Sequence, residues 1–213
     1  MHTHSPVARS DERSSGEREA APVVSISDRV LLTRHVSGDR DAFAQLMQTY
    51  ANPIYGYLTR AGIRPADRDD LFQEFFCKVH RAALRGLPEG PVRPWLFTIA
   101  VNTVRDSFRR AKVRSIVKLD DGPASQTAAA VTAPDRAVEE KETLTFLERE
   151  VARLPEDQRD ALLLCTVEGL SLEDASVALD TPINTIKTRI RRARLSLADA
   201  MSRRQMTQQR EGA

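Results

Sequence analysis

Apolar residues in this chain recur at three- and four-residue spacings over most of its length, and the strict alternation of a half-buried strand is hard to find. From Asp39 to Ala61 they are Ala42, Phe43, Leu46, Met47, Tyr50, Ile54, Tyr57 and Leu58, which is the pattern of a helix with one buried face. Pro53 is expected to kink or divide this helix, and Gly62 to help end it. Ordered structure is expected to begin earlier, near Ser27-Asp28, where a capping residue precedes Val30, Leu31 and Leu32. A third helix is predicted from Pro65, a good first-turn residue, to about Leu84, with Leu71, Phe75, Val79 and Ala82 along its apolar face. Arg85 to Pro94 carries two glycines and three prolines and reads as a loop. A further helix follows from about Trp95 to Lys112.

Between these patterns the chain changes character. Residues 1–26 are rich in Ser, Arg, Glu, Ala and Pro without periodicity and read as a disordered tail. Residues 113–135 turn to Ala, Thr, Ser, Asp, Gly and Pro, which makes them a linker and makes two domains the better count. The first domain then spans 27–112. The second, 136–204, opens with an acidic helix from Arg136 to Arg153, resumes after Pro155 and finishes in three short-to-medium helices before a disordered tail at 205–213. The expected fold is all-α: two helical domains joined by a flexible linker.

The formal net charge of +2 hides a segregation of signs along the chain. Residues 28–118 hold 16 Lys/Arg against 9 Asp/Glu, residues 119–180 hold 5 against 15, and residues 181–204 hold 7 against 1. Two basic blocks flank an acidic one, as expected if two separated surfaces meet polyanionic phosphate while the middle faces something else. Cys77 and Cys165 form no CxxC pair and read as small buried hydrophobes. No apolar run is long enough to span a bilayer and the N-terminus is polar, so a cytoplasmic protein is expected.

The strongest local signal lies between Gly169 and Arg189. Ser171 with Asp174 three residues on resembles a capping box, and Thr181-Pro182 marks a second helix start. The short turn between them and the small Ala175 suit a helix-turn-helix. In such a unit the second helix enters the major groove. Its outward residues would be Asn184, Thr185, Lys187, Thr188, Arg191 and Arg192, with Ile183, Ile186, Ile190 and Leu197 on the buried side. Earlier in the chain, Asp70, Gln73 and Glu74 lie within about one helical turn and form a polar edge. Asn102, Arg105, Arg109 and Arg110 recur at spacings that allow a shared basic face beside the Arg85–Pro94 loop, a surface suited to single-stranded DNA. Trp95 reads either as core or as a stacking platform there.

Asp70-Leu-Phe-Gln-Glu-Phe-Phe-Cys-Lys-Val79 resembles the polymerase-binding helix of sigma factors of the sigma-seventy superfamily. Pro94-Trp-Leu-Phe-Thr-Ile-Ala-Val-Asn-Thr-Val-Arg-Asp-Ser-Phe-Arg-Arg110 resembles the promoter-melting helix that follows it. With the linker, Leu154-Pro-Glu-Asp-Gln-Arg-Asp-Ala-Leu-Leu-Leu164 and the helix-turn-helix, the order is similar to that of the extracytoplasmic-function group over about Asp28 to Met201. Asp180 and Asn184 stand where the family often has Gly, and both tolerate left-handed backbone better than most residues. Arg68-Asp69 replaces the usual small-acidic pair ahead of Asp70.

The resemblance implies that Asp70, Gln73 and Glu74 dock on the clamp helices of the largest subunit of core RNA polymerase. It implies that the loop and Asn102 capture a flipped base of melted minus-ten DNA, with Trp95, Arg105, Arg109 and Arg110 in the same site, and that the helix-turn-helix reads minus-thirty-five duplex. A contact with the flap of the second-largest subunit and an anti-sigma partner are further implications. No nucleotide-cradling loop and no nucleophile, base or metal-ligand cluster is visible, so neither an enzyme nor a cofactor is expected; His35 and His80 read as isolated residues. The rivals are a helix-turn-helix regulator that binds DNA independently of polymerase and a decoy that occupies the clamp without opening promoters.

Overall fold

The structure, a computed structural model, describes residues 27–117 and 136–211. The expected N-terminal tail and most of the expected linker lie outside the described residues. Within them the chain is all-α, without strands.

The first domain comprises α1 (Asp28–Val36), α2 (Arg40–Arg60), α3 (Pro65–Arg85) and α4 (Val92–Val117). Ser27 caps α1 by accepting from the Val30 amide, and Asp39 caps α2 by accepting from the amides of Asp41 and Ala42. Pro65 opens α3 at a position where its missing N–H is harmless. The expected division at Pro53 does not occur: α2 is one helix through it. An interior proline costs about 3 kcal/mol, and the burial of Tyr50, Ile54, Tyr57 and Leu58 on the same helix offsets that cost. α4 starts at Val92 rather than Trp95, because Pro94 is tolerated in a first helical turn, and it runs on to Val117, past the expected end at Lys112.

The second domain comprises α5 (Arg136–Arg153), α6 (Glu156–Leu162) with a π-helical turn at Leu163–Val167, α7 (Leu172–Leu179) and α8 (Ile183–Glu211). α5 has the predicted bounds. α8 is longer than expected, so residues 205–211, read as a disordered tail, are helical; Arg204 packs over the Phe146 ring and bonds to the Glu142 carbonyl of α5, supporting this end.

α4 packs against α3 on one side and against α7 of the second domain on another. Buried residues of both domains, from Leu31 to Ala193, form one continuous apolar cluster. Each basic surface of the chain is therefore positioned relative to the acidic block that separates them in sequence.

Candidate nucleic-acid interface

The helix-turn-helix is built by its caps. The Ser171 hydroxyl accepts from the Asp174 amide at 3.0 Å, and Ala175, fully buried, leaves room for α7 to meet α8. α7 ends at Asp180, which adopts φ 47, ψ 53, the left-handed conformation expected there. Among the described residues it alone, apart from glycines, has positive φ. The chain then closes through Ser176, whose hydroxyl donates to the Thr181 carbonyl at 2.6 Å. Pro182 falls one residue before α8 rather than at its first position, and its carbonyl accepts from the amides of Thr185 and Ile186. Asn184 sits inside the helix and uses no left-handed backbone.

On α8, Ile186, Ile190 and Ala193 are buried, with Ile183 and Leu197 half-buried. Asn184, Thr185, Lys187, Thr188, Arg191 and Arg192 are all exposed. Arg189, which the sequence did not single out, turns back to bond Asp157 at 2.7 Å and Thr181 at 3.0 Å, and so fixes the helix against its own domain.

In the first domain Asp70 and Gln73 are exposed on α3. Glu74 is not free beside them: it pairs with Lys78 at 3.0 Å and with Arg110 at 2.7 Å. Partial burial pushes its carboxyl up, but the hydrogen bonds from Arg110 and Lys78 outweigh this and hold it below the usual glutamate range. Cys77, expected to be buried, is exposed because it follows Gln73 by four residues on the same helical edge. Cys165 is half-buried, and burial pushes its thiol up. His35 and His80 are not isolated: their ring nitrogens meet at 2.8 Å, and His35 stacks on Phe43 at 4.3 Å.

The four basic and polar residues of α4 do not share one face. Arg105 and Arg110 lie about 140° apart around a helix of 3.6 residues per turn. Asn102 is exposed and, with Ile99 and Asp106, lines a cleft of about 400 Å³ whose other wall is Lys78, Arg81 and Arg85 of α3. Arg109 is exposed and pairs with Asp106 at 3.2 Å. Trp95 is half-buried and packs against the core. Arg105 points away from this cleft into the second domain. It reaches Glu156 at 2.8 Å, Asp160 at 3.0 Å and Asp157 at 3.5 Å.

Sequence reasoning missed the residues that complete this inter-domain seam. The Tyr57 hydroxyl donates to Asp160 at 3.0 Å inside the protein. Arg60 and Arg93 both reach Glu168, at 2.9 and 3.8 Å, and Arg93 also bonds the Glu168 carbonyl at 2.8 Å. Burial pushes the carboxyls of Asp160 and Glu168 up, against the pull of Arg105 and Arg159 on the first and of Arg60 and Arg93 on the second. The segregated charge along the chain was the one signal that could have pointed to it. No group of three or more potential metal ligands occurs among the described residues. No helix of the described chain is long and apolar enough to cross a membrane.

Residues 46–114 match the family model for sigma-70 region 2, and residues 147–197 match that for sigma-70 region 4. The chain is 33% identical over 173 residues to the ECF RNA polymerase sigma factor SigM of Mycobacterium tuberculosis, covering 81% of this chain and 83% of that protein. It is 31% identical over 180 residues to the RNA polymerase sigma-H factor of Pseudomonas aeruginosa, covering 82% and 93%. Among solved structures, CnrH in complex with the cytosolic domain of CnrY shares the fold at a TM-score of 0.62 and 24% identity, covering 82% of this chain and 97% of that one. The sigma factor RpoE of Bartonella quintana in complex with the anti-sigma factor NepR shares it at 0.61 and 23%, covering 75% and 96%.

Proposed function

This chain belongs to the extracytoplasmic-function group of RNA polymerase sigma factors, and we propose from that premise how its own residues divide the work of promoter recognition. As a sigma factor it binds core RNA polymerase and promoter DNA and directs the initiation of transcription. The division of labour rests on one observation: α8 presents an uninterrupted outward face of Asn184, Lys187, Thr188, Arg191 and Arg192 while Ile186, Ile190 and Ala193 hold its other side to the domain.

That face reads duplex DNA at the minus-thirty-five element. Asn184 at the helix start is placed for base edges, and Lys187, Arg191 and Arg192 supply cations for phosphates. The cleft between α3 and α4 takes an unstacked base of the minus-ten element, with Asn102 offering a hydrogen-bonding edge and Arg81 and Arg85 countering backbone charge. Capture of the extruded base offsets the few kcal/mol of unstacking, roughly, so melting needs no nucleotide hydrolysis. Asp70 and Gln73 form the clamp-facing edge of α3, and the second domain meets the polymerase flap. The chain acts in the cytoplasm without catalytic residues of its own. An anti-sigma factor covers its working faces, as the anti-sigma NepR is found with its relative in Bartonella quintana.

The test is selection of initiating sequences from a randomised template library by core polymerase carrying the chain. Two separated sequence blocks are expected, with Asn184→Ala relaxing the upstream block and Asn102→Ala the downstream one. Relaxation of neither block, or of the same block by both variants, would contradict the assignment.

A further inference from the structure

The loop between α3 and α4, residues 86–91, adjoins the cleft assigned to the minus-ten base. It leaves α3 directly after Arg85, which lines one wall, and re-enters helix at Val92 of α4, about two turns before Ile99 on the other wall. The position of the loop therefore sets the shape of that end of the cleft. Little within the loop fixes this position. Leu87 packs against the core and Val92 is buried, but among the described residues Leu87, Glu89 and Gly90 make no backbone hydrogen bond. A Cβ added at Gly86 or Gly90 would meet nothing within 4 Å, so close packing requires neither glycine, and both leave the chain free to pivot. Pro88 lies midway between these pivots. Its carbonyl accepts from Nη1 of Arg29 at 2.6 Å, a contact that spans 59 residues of sequence.

Arg29 is itself well anchored. It stands in the first turn of α1, which Ser27 caps, and the neighbouring Asp28 accepts from the hydroxyl of the buried Tyr50 of α2. Leu31 and Leu32 bury the inner side of the same helix in the core. Arg29 forms no ion pair among the described residues, so its guanidinium is given to the loop in a charge-assisted hydrogen bond. A rigidly held donor on α1 thus meets the loop at the point where its freedom is greatest.

We infer that Arg29 is a positioning residue for minus-ten recognition: it pins the loop at Pro88 and so holds the end of the cleft in the shape that an extruded base enters. This rests on the assignment of the cleft to the minus-ten base. Arg29 precedes the segment 46–114 that matches the region 2 family model, so part of the selectivity of the first domain is set from a helix that touches no base. A loop released from Arg29 visits several positions, and discrimination falls with the fraction of molecules whose cleft is in the competent shape.

The test uses the full chain with Arg29→Met, which keeps an unbranched side chain without its donors, and Arg29→Lys, which keeps a charged donor for the carbonyl. Loop mobility is read by NMR relaxation of the Glu89 and Gly90 amides, and base preference by selection from a randomised template library with core polymerase. Arg29→Met is expected to lower the order parameters of both amides. It is also expected to reduce the preference at one position of the downstream block about tenfold, or roughly 1.4 kcal/mol, the scale of one hydrogen bond. The upstream block, the melting temperature and the salt slope of promoter affinity should not change, and Arg29→Lys should retain most of the preference. Unchanged order parameters, or an unchanged downstream block where Asn102→Ala relaxes it, would overturn the positioning role and leave the cleft assignment standing. A salt slope lower by about one would make Arg29 a direct phosphate contact, and a lower melting temperature with loss at both blocks would make its role structural; either result overturns the proposal. A downstream block relaxed by neither Arg29→Met nor Asn102→Ala would contradict the cleft assignment and the proposal with it.

Discussion

Glu74 of α3 and Arg110 of α4, which the sequence assigns to two different binding surfaces, are bonded to each other at 2.7 Å. Lys78 completes the group by bridging Glu74 and Asp106. Glu74 therefore positions α4 against α3, and Asp70 and Gln73 are left as the free part of the polar edge. Glu74→Ala and Arg110→Ala are expected to destabilise non-additively, with a coupling of about 0.5–1 kcal/mol by urea denaturation for a pair this exposed. Asp70→Ala/Gln73→Ala should leave the urea midpoint unchanged. Additive effects of the first pair would mean that the contact does not link the two helices.

The left-handed residue at the turn of the helix-turn-helix gives a second prediction. Asp180→Gly should stabilise the second domain by up to about 1 kcal/mol by relieving φ 47, whereas Asp180→Val should destabilise it by about 1–2 kcal/mol. Ser171→Ala should cost about 1 kcal/mol through loss of the cap on α7. Thermal denaturation of the three variants checks the order, and a stabilising Asp180→Val would contradict it.

The histidine pair predicts a pH dependence. Burial, followed by the neighbouring His80, holds His35 below its ordinary value of 6.5, against an opposing hydrogen bond at Asp39. The folded chain thus binds a proton at His35 less readily than the unfolded chain. This contribution is complete above pH 6.5 and is lost as pH falls through the lowered folded value. Melting curves between pH 7.5 and 5.5 should show a steeper acid loss for the natural chain than for His35→Gln. Parallel loss in both would remove His35 as the cause.

In the chain bound to core polymerase, Lys187→Ala and Arg191→Ala should each weaken duplex binding uniformly across sequences and reduce the salt slope of affinity by about one. Asn184→Ala should instead lower the preference for the chosen site over random duplex, by roughly 1–3 kcal/mol of discrimination. Titrations at several salt concentrations separate the two behaviours.

Helices, caps and the recognition face were legible because each depends on neighbours in sequence. Ser27, Asp39 and Ser171 mark helix starts by local hydrogen bonding and Pro65 by its fixed φ and missing N–H, and the exposure of Asn184, Lys187, Thr188, Arg191 and Arg192 follows from the phase of Ile186 and Ile190. What failed were statements that depend on tertiary partners. Of the two outcomes expected at Pro53, a kink or a division, the division is absent because the packing of Tyr57 and Leu58 keeps α2 whole. Arg105 was grouped with Asn102 by spacing, but its direction is fixed by Asp160, 55 residues away. His35 and His80, 45 residues apart, could not be paired from sequence. The bounds of α8 were misjudged for the same reason, since Arg204 is held by Phe146 and Glu142 of α5.

The central claim is that this chain confers promoter-specific initiation on core RNA polymerase through the free edge of α3. The most direct measurement is run-off transcription by core polymerase from templates chosen by selection, with the natural chain or with Asp70→Ala/Gln73→Ala. Transcripts that require the natural chain and fall at least about tenfold with the variant, a loss of roughly 1.4 kcal/mol in binding, are the predicted result. Transcripts undiminished by the variant would contradict the placement of the polymerase contact. No transcript from any template, with tight sequence-specific duplex binding in the absence of polymerase, would contradict the account as a whole.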